Sequence, residues 1–214
     1  MKRTLLAAIM VFIALAQTGC GDGGSSAPPI FVTSILSDSA VDGYIAQNPP
    51  GVPPTITQGM SLTVQSVFAG IDSGTLLESR AFLDFPLATV PVDAVISSAF
   101  LDIVINSIQL SGTIPIRIDL VSPPSLTLAP TDFNLAALAT TTILIFPADV
   151  GHHVFPIDVT ALMTEAQRLR LPDFQVRISE DSGVVGASTG LIEINDTTGA
   201  NRGSDAPLLQ VTFF

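Results

Sequence analysis

Gly186-Ala187-Ser188-Thr189-Gly190 carries the G-x-S-x-G spacing of a nucleophile elbow. That chemistry needs a strand before the serine, a helix after it, and an acid and a histidine later in the chain. Here Leu191 to Asn195 alternates like a strand, and both histidines, His152 and His153, come earlier. The motif therefore reads as a glycine-rich hairpin loop. His152 and His153 are adjacent, and adjacent residues on a strand point to opposite faces, so they read as a surface pair rather than ligands of one metal ion. Asp84, Asp102, Asp119 and Asp158 lie in or beside strand-like runs, opposite apolar residues, and no spacing among them singles out a glycosidase pair. Asp158 is placed to accept hydrogen bonds from the first amides of a helix starting near Thr160. Hard cations take loop carboxylates and carbonyls, so Asp38, Asp42 and Asp205 form a candidate structural calcium site if the terminal strands pair. Sugar binding needs exposed rings that stack on apolar sugar faces. With no Trp and one tyrosine, Tyr44 is the first ligand-binding candidate, followed by Phe82 and Phe100; most other Phe fall on inward faces. No catalytic residues and no required cofactor are expected.

The elements that would position these groups begin with Arg80 to Ile105. Ala81, Leu83 and Phe85 share one side of a first run, and Ala99, Leu101, Ile103 and Ile105 share one side of a second. A period of two marks strands with one dry face. Pro86 and Pro91 bracket the connection, which predicts strand, turn, strand. Further strands are expected at Ile30–Leu36, Leu62–Phe68, Ile114–Leu120 (near an edge, because of Pro115), Thr141–Phe146, His153–Val159, Phe174–Ile178, Ile192–Ile194 and Leu209–Phe213. Phe133 to Ala139 reads as one or two helical turns. Ala161 to Leu169 reads as a short helix after Thr160, stopped by Pro172. Asn195 to Pro207 reads as a long polar loop. Many short strands with no βαβ rhythm predict an all-β, antiparallel jelly-roll sandwich with one short helix after Asp158-Val159-Thr160.

Composition agrees with that. Apolar residues make up 47%, charged residues 13%, and Gly and Pro number 16 each. This suits a turn-rich sheet protein with a sizeable core. The formal charge of −11 repels phosphate backbones, so nucleic acid is excluded as a partner, whereas cations and neutral sugars remain compatible.

Cys20 is the sole cysteine, so no intrachain disulfide can form. It follows a basic start (Lys2, Arg3), an apolar run from Leu5 to Ala16, and the small residues Thr18 and Gly19. That is a secretory signal, too short for a membrane span. Gln17-Thr18-Gly19-Cys20 resembles a bacterial lipobox, with Gln17 where Leu is usual. The resemblance implies that Cys20 is acylated and becomes the mature N-terminus. Residues 1–19 are then a signal peptide, residues 20–29 a tether rich in Gly, Ser and Pro, and residues 30–214 one domain. The expected location is the bacterial cell envelope, at the outer membrane or cell surface rather than the inner membrane. The implied partners are the membrane, through the lipid, and a polysaccharide or envelope protein.

Three segments resemble the DNRLRE-type β-sandwich domains, which are grouped with non-catalytic carbohydrate-binding modules. They are Arg80–Phe85 leading through Val90-Pro91 to Ile96–Leu101, then Phe155–Thr160, then Asp205–Val211. The resemblance implies a jelly roll and a binding or structural role, with a carbohydrate-binding module serving a partner enzyme as the alternative.

Overall fold

The computed structural model describes residues 28–47, 52–109, 112–184 and 189–214. Its strands, in chain order, are β1 (Phe31–Leu36), β2 (Gly43–Gln47), β3 (Thr55–Gln58), β4 (Ser66–Ile71), β5 (Glu78–Pro86), β6 (Ile96–Gln109), β7 (Ile114–Val121), β8 (Ala139–Ile145), β9 (His153–Asp158), β10 (Asp173–Glu180), β11 (Leu191–Asn195) and β12 (Leu208–Phe213). A ten-residue helix, α1 (Thr160–Leu169), follows β9, and a single turn, α2 (Arg202–Asp205), precedes β12. The strands run β1-β12-β6-β11-β4-β5-β10-β7-β8, with β9 beside β6 and the β2–β3 hairpin beside β5. All these strand pairings are antiparallel.

β6 belongs to both layers of the resulting jelly-roll sandwich. Its first part pairs with β12 and β9, and Ile105 to Gln109 pair with β11. Along it Ala99, Leu101, Ile103 and Ile105 are at most 1% exposed. They join Leu83 and Phe85 of β5, Ile116 and Ile118 of β7 and Val176 of β10 in one core. Each such Leu or Ile stabilises the fold by roughly 1.5–3 kcal/mol.

The strand, turn and strand expected over Arg80–Ile105 form as β5, the Leu87–Thr89 turn and β6, but the two strands are not neighbours: β4 and β11 lie between them. After Pro86 the chain makes a tight helical turn at Leu87–Thr89 and buries Leu87 and Val90. A connection anchored in the core leads to the other layer rather than back along its own strand. The strand that holds Pro115 lies near an edge, as expected, one place in from it. β7 is flanked by β10 and β8, and β8 is the edge. The Pro115 carbonyl accepts the Asp181 N–H just past the end of β10, so the missing donor falls where that ladder stops. The strand expected from Leu62 starts only at Ser66. The Ser61 hydroxyl accepts the Thr63 and Val64 amides, which holds the backbone in a turn and leaves Leu62 79% exposed. β3 was not anticipated.

Helix α1 is placed as expected. Asp158 Oδ1 accepts the Thr160 N–H at 2.9 Å, and the Thr160 hydroxyl accepts the Ala99 N–H at 3.0 Å. Leu162, Met163 and Ala166 face the core. Arg170, left-handed at φ 55°, donates to Gln167 O while Leu171 donates to Ala166 O; this Schellman pattern ends the helix before Pro172. The helix expected within Phe133–Ala139 is instead a tight turn at Pro130–Asn134.

The connection that follows β7 covers the outer face of β5, β7 and β10. Ile45, Phe82, Val121, Leu128 and Phe133 make a second small core there. Beneath it Arg177 and Asp119 are 3% and 0% exposed and pair at 2.6 Å. Arg177 also donates to Phe133 O and Leu135 O, and Asp119 accepts Thr140 Oγ1 at 2.7 Å. Breaking one side of such a pair strands a buried charge. Asp119→Ala is expected to cost about 3–5 kcal/mol by urea denaturation, and Asp119→Ala with Arg177→Met to recover most of that loss. A double variant as unstable as the single one would contradict the pairing.

Candidate functional site

Cys20 and Ser188 lie outside the described residues. Gly190, the last residue of the elbow-like motif, is explained by packing. A Cβ there would sit 2.7 Å from Gln109 O and 2.5 Å from Ile114 Cδ1. A strand, β11, follows it directly, so the local geometry is not that of a nucleophile elbow.

Asp38, Asp42 and Asp205 do not converge as one site. β1 and β12 pair as expected, but Asp38 Oδ1 caps its own turn through the Ala40 N–H, and Asp205 Oδ1 accepts the Ser204 hydroxyl. Arg202, one turn before, enters in place of Asp205. It donates to Asp196 Oδ1 at 3.0 Å, to Thr197 O at 2.9 Å and to Ser37 O. Asp42 lies beside Asp196; both are 0% exposed. Asp42 Oδ1 accepts the Asp84 N–H at 2.7 Å. Burial, then the Asp196 charge, pushes Asp42 well above the usual carboxylate range. Burial also raises Asp196, against the opposing pull of Arg202. Among the described residues no three His, Cys, Asp or Glu side chains gather as metal ligands.

The aromatic candidates are rearranged too. Phe82 is 6% exposed and belongs to the second core. Tyr44 is half-buried, its ring edge-on to Phe68 at 5.2 Å, so it offers little flat surface. On β9 the ring of Phe155 is open, 51% exposed and set edge-on to Phe100 at 6.3 Å. Strict alternation along His153–Val159 puts Phe155 on the same face as Ile157 and Val159. The pairing of β6 with β9 shifts between Leu101 and Ile103: Leu101 faces Ile157, and Ile103 faces Val154. Two residues, Phe155 and Pro156, thus stand opposite Asp102. Such a bulge reverses the alternation, which turns Val154 in and Phe155 out. Beside Phe155, His153 Nδ1 lies 2.9 and 3.0 Å from the two oxygens of Asp102. Phe100, Phe155, Asp102 and His153 therefore share the outer face of β6 and β9, an apolar platform bordered by polar groups.

A second feature is a depression at the ends of β5 and β10. One lobe, of about 510 Å³, lies between Leu87, Pro91, Val92, Leu171 and Asp173. A neighbouring lobe of about 200 Å³ runs to Pro123, Leu126 and Gln175. Below them Asp84, 3% exposed, lines a space of about 10 Å³, room for one water. Its Oδ1 accepts no hydrogen bond from the described protein atoms. Burial first, and the Asp173 and Asp38 charges second, push the Asp84 carboxyl up to about 6. Burial and Asp38 also raise Asp173.

Neither a family profile nor a curated protein matches the chain. Among solved structures, the structure of the Gx strain of infectious bursal disease virus is similar over 88% of this chain at 13% identity. The matched region is 37% of that viral chain, and the TM-score of 0.21 is too low to bear on fold or function.

Asp84, Asp42, Asp196 and Asp173 are all raised, so the folded state holds protons that the unfolded chain releases. Their stabilisation is present below the ordinary aspartate pKa of about 3.9 and is lost as pH rises through the folded values. Unfolding free energy is expected to fall as pH rises from about 3.9 to about 6, and Asp84→Asn to remove its share of that fall. A stability curve that rises over that interval would contradict the burial of these carboxyls.

Proposed function

We propose that this protein is a lipid-anchored, non-catalytic β-sandwich of the bacterial cell envelope, with a binding or structural role. The observation that carries this reading is the sole cysteine, Cys20, directly after a basic start, a short apolar run and small residues. The Gly, Ser and Pro residues that follow it lead directly to the domain. No helix among the described residues is long and apolar enough to cross a membrane, so on this reading attachment rests on the acyl chains. One chain would hold weakly; several hold firmly. Asp38, Asp72 and Asp158 cap turns or the start of α1, and Asp119 and Asp196 pair with Arg177 and Arg202, which suits a structural use of these carboxylates. Metabolic labelling with a radioactive fatty acid is expected to mark the wild-type protein and not Cys20→Ala. Label that persists in Cys20→Ala would defeat the anchoring claim.

A carbohydrate-binding role is the second reading, favoured by the outward ring of Phe155 beside Phe100, Asp102 and His153. Rings of this kind stack on apolar sugar faces while neighbouring polar groups bond hydroxyls. On a glycan array, Phe155→Ala is expected to abolish most of the signal and Tyr44→Phe to leave it intact. Binding that survives Phe155→Ala would remove this face from consideration.

A further inference from the structure

The end of the domain that receives the tether exposes several apolar side chains. Ile30, Phe31 and Val32 are 70%, 53% and 61% exposed, and Val92, Val95 and Phe214 are 64%, 54% and 45% exposed. These residues come from three parts of the chain that meet at one corner. Phe31 opposes Phe213 across β1 and β12, their rings 5.8 Å apart and inclined by 25°. Val95 and Phe214 exchange both backbone hydrogen bonds, at 2.9 and 3.1 Å. The Ala94 amide bonds Pro91 O, which brings Val92 alongside. Val92 and Pro91 are also in the wall of the 510 Å³ depression, so the exposed corner continues into an apolar hollow. Asp93 is the one charged residue between Val90 and Ile96. Exposed apolar side chains gathered at one end of a domain mark a contact site.

The chain itself indicates the occupant. Cys20 is ten residues before Ile30. Even fully extended, ten residues reach only about 33–36 Å. An acylated Cys20 therefore keeps the β1 end of the domain within that distance of the bilayer. We propose that Ile30, Phe31, Val32, Val95 and Phe214 rest on the lipid surface, docking the domain against the membrane that holds its anchor. The proposal rests on the lipid-anchor reading above. Apolar side chains enter the boundary between headgroups and acyl chains, and the acyl anchor supplies the proximity. No basic residue adjoins the corner in sequence, so contact is through apolar burial and is insensitive to salt. The acidic remainder of the domain faces away from anionic lipid.

The chain has no Trp, so one introduced tryptophan is an unambiguous reporter. The full-length protein bearing Phe31→Trp is reconstituted in vesicles of brominated phosphatidylcholine, whose bromines quench tryptophan by contact. Leu144→Trp serves as the reference; Leu144 is 47% exposed on β8, at the opposite end of the strand order. The expected result is a blue-shifted emission and several-fold stronger quenching for Phe31→Trp than for Leu144→Trp, unchanged by salt. Equal or absent quenching in protein that carries the acyl label overturns docking and leaves the anchor standing. Absence of the label overturns both. A blue shift without quenching, in protein that sediments as a dimer, overturns docking in favour of a second copy at this corner.

Discussion

The structure depends on one constraint: β6 must keep alternate side chains dry while its backbone serves two layers. Leu101 and Ile103 face the core, and the residues between them face outward. The first half of the strand pairs with β12 and β9, the second with β11. Any slip by one residue would exchange the faces of the whole strand. The core, the helix seated against β6 and the aromatic platform are all positioned by that register. The ladders of β6 shift with each of its three partners, at Glu193/Ile194 of β11, at Thr212/Phe213 of β12 and opposite Asp102 in β9, and the last of these sends the Phe155 ring outward.

Sequence pattern revealed the parts of this fold that repeat with period two over several residues. β6, β7, β10 and β12 are where alternation predicts them, and α1 begins where Asp158 and Thr160 predict it. Pairing was not legible in the same way. Nothing in Arg80–Ile105 distinguishes a hairpin from a crossing between layers, because Leu87 and Val90 read equally well as turn residues or as core. The turn at Ser61 hid behind the apolar Leu62 and Val64, since a hydroxyl that competes for backbone amides leaves no trace in hydrophobicity. The bulge in β9 left a faint trace: Pro156 inside a strand, a residue that sheets tolerate at bulges and edges.

The polar groups show a similar division. The capping role of Asp158 follows from its position before the helix. The pairing of Asp119 with Arg177 does not, because it requires the connection after β7 to fold over what would otherwise be a wet face. Asp42 was legible as a carboxylate near the chain's other end, but its neighbour is Asp196, with Arg202 alongside. Burial is the largest influence on the carboxyls there, and it raises several of them together. The anchor reading draws on residues outside the described structure; the apolar corner at β1 lies within it, and the two support one another through the length of the tether.

Amide hydrogen exchange along β6 tests the central claim most directly. Phe100, Leu101 and Asp102 lie within the stretch shared by β12 and β9. Their amides should exchange only through global unfolding, at one common free energy equal to the stability measured with denaturant. Exchange at the rate of exposed loops, or with a free energy far below that of unfolding, would show that β6 is not the strand joining the two layers.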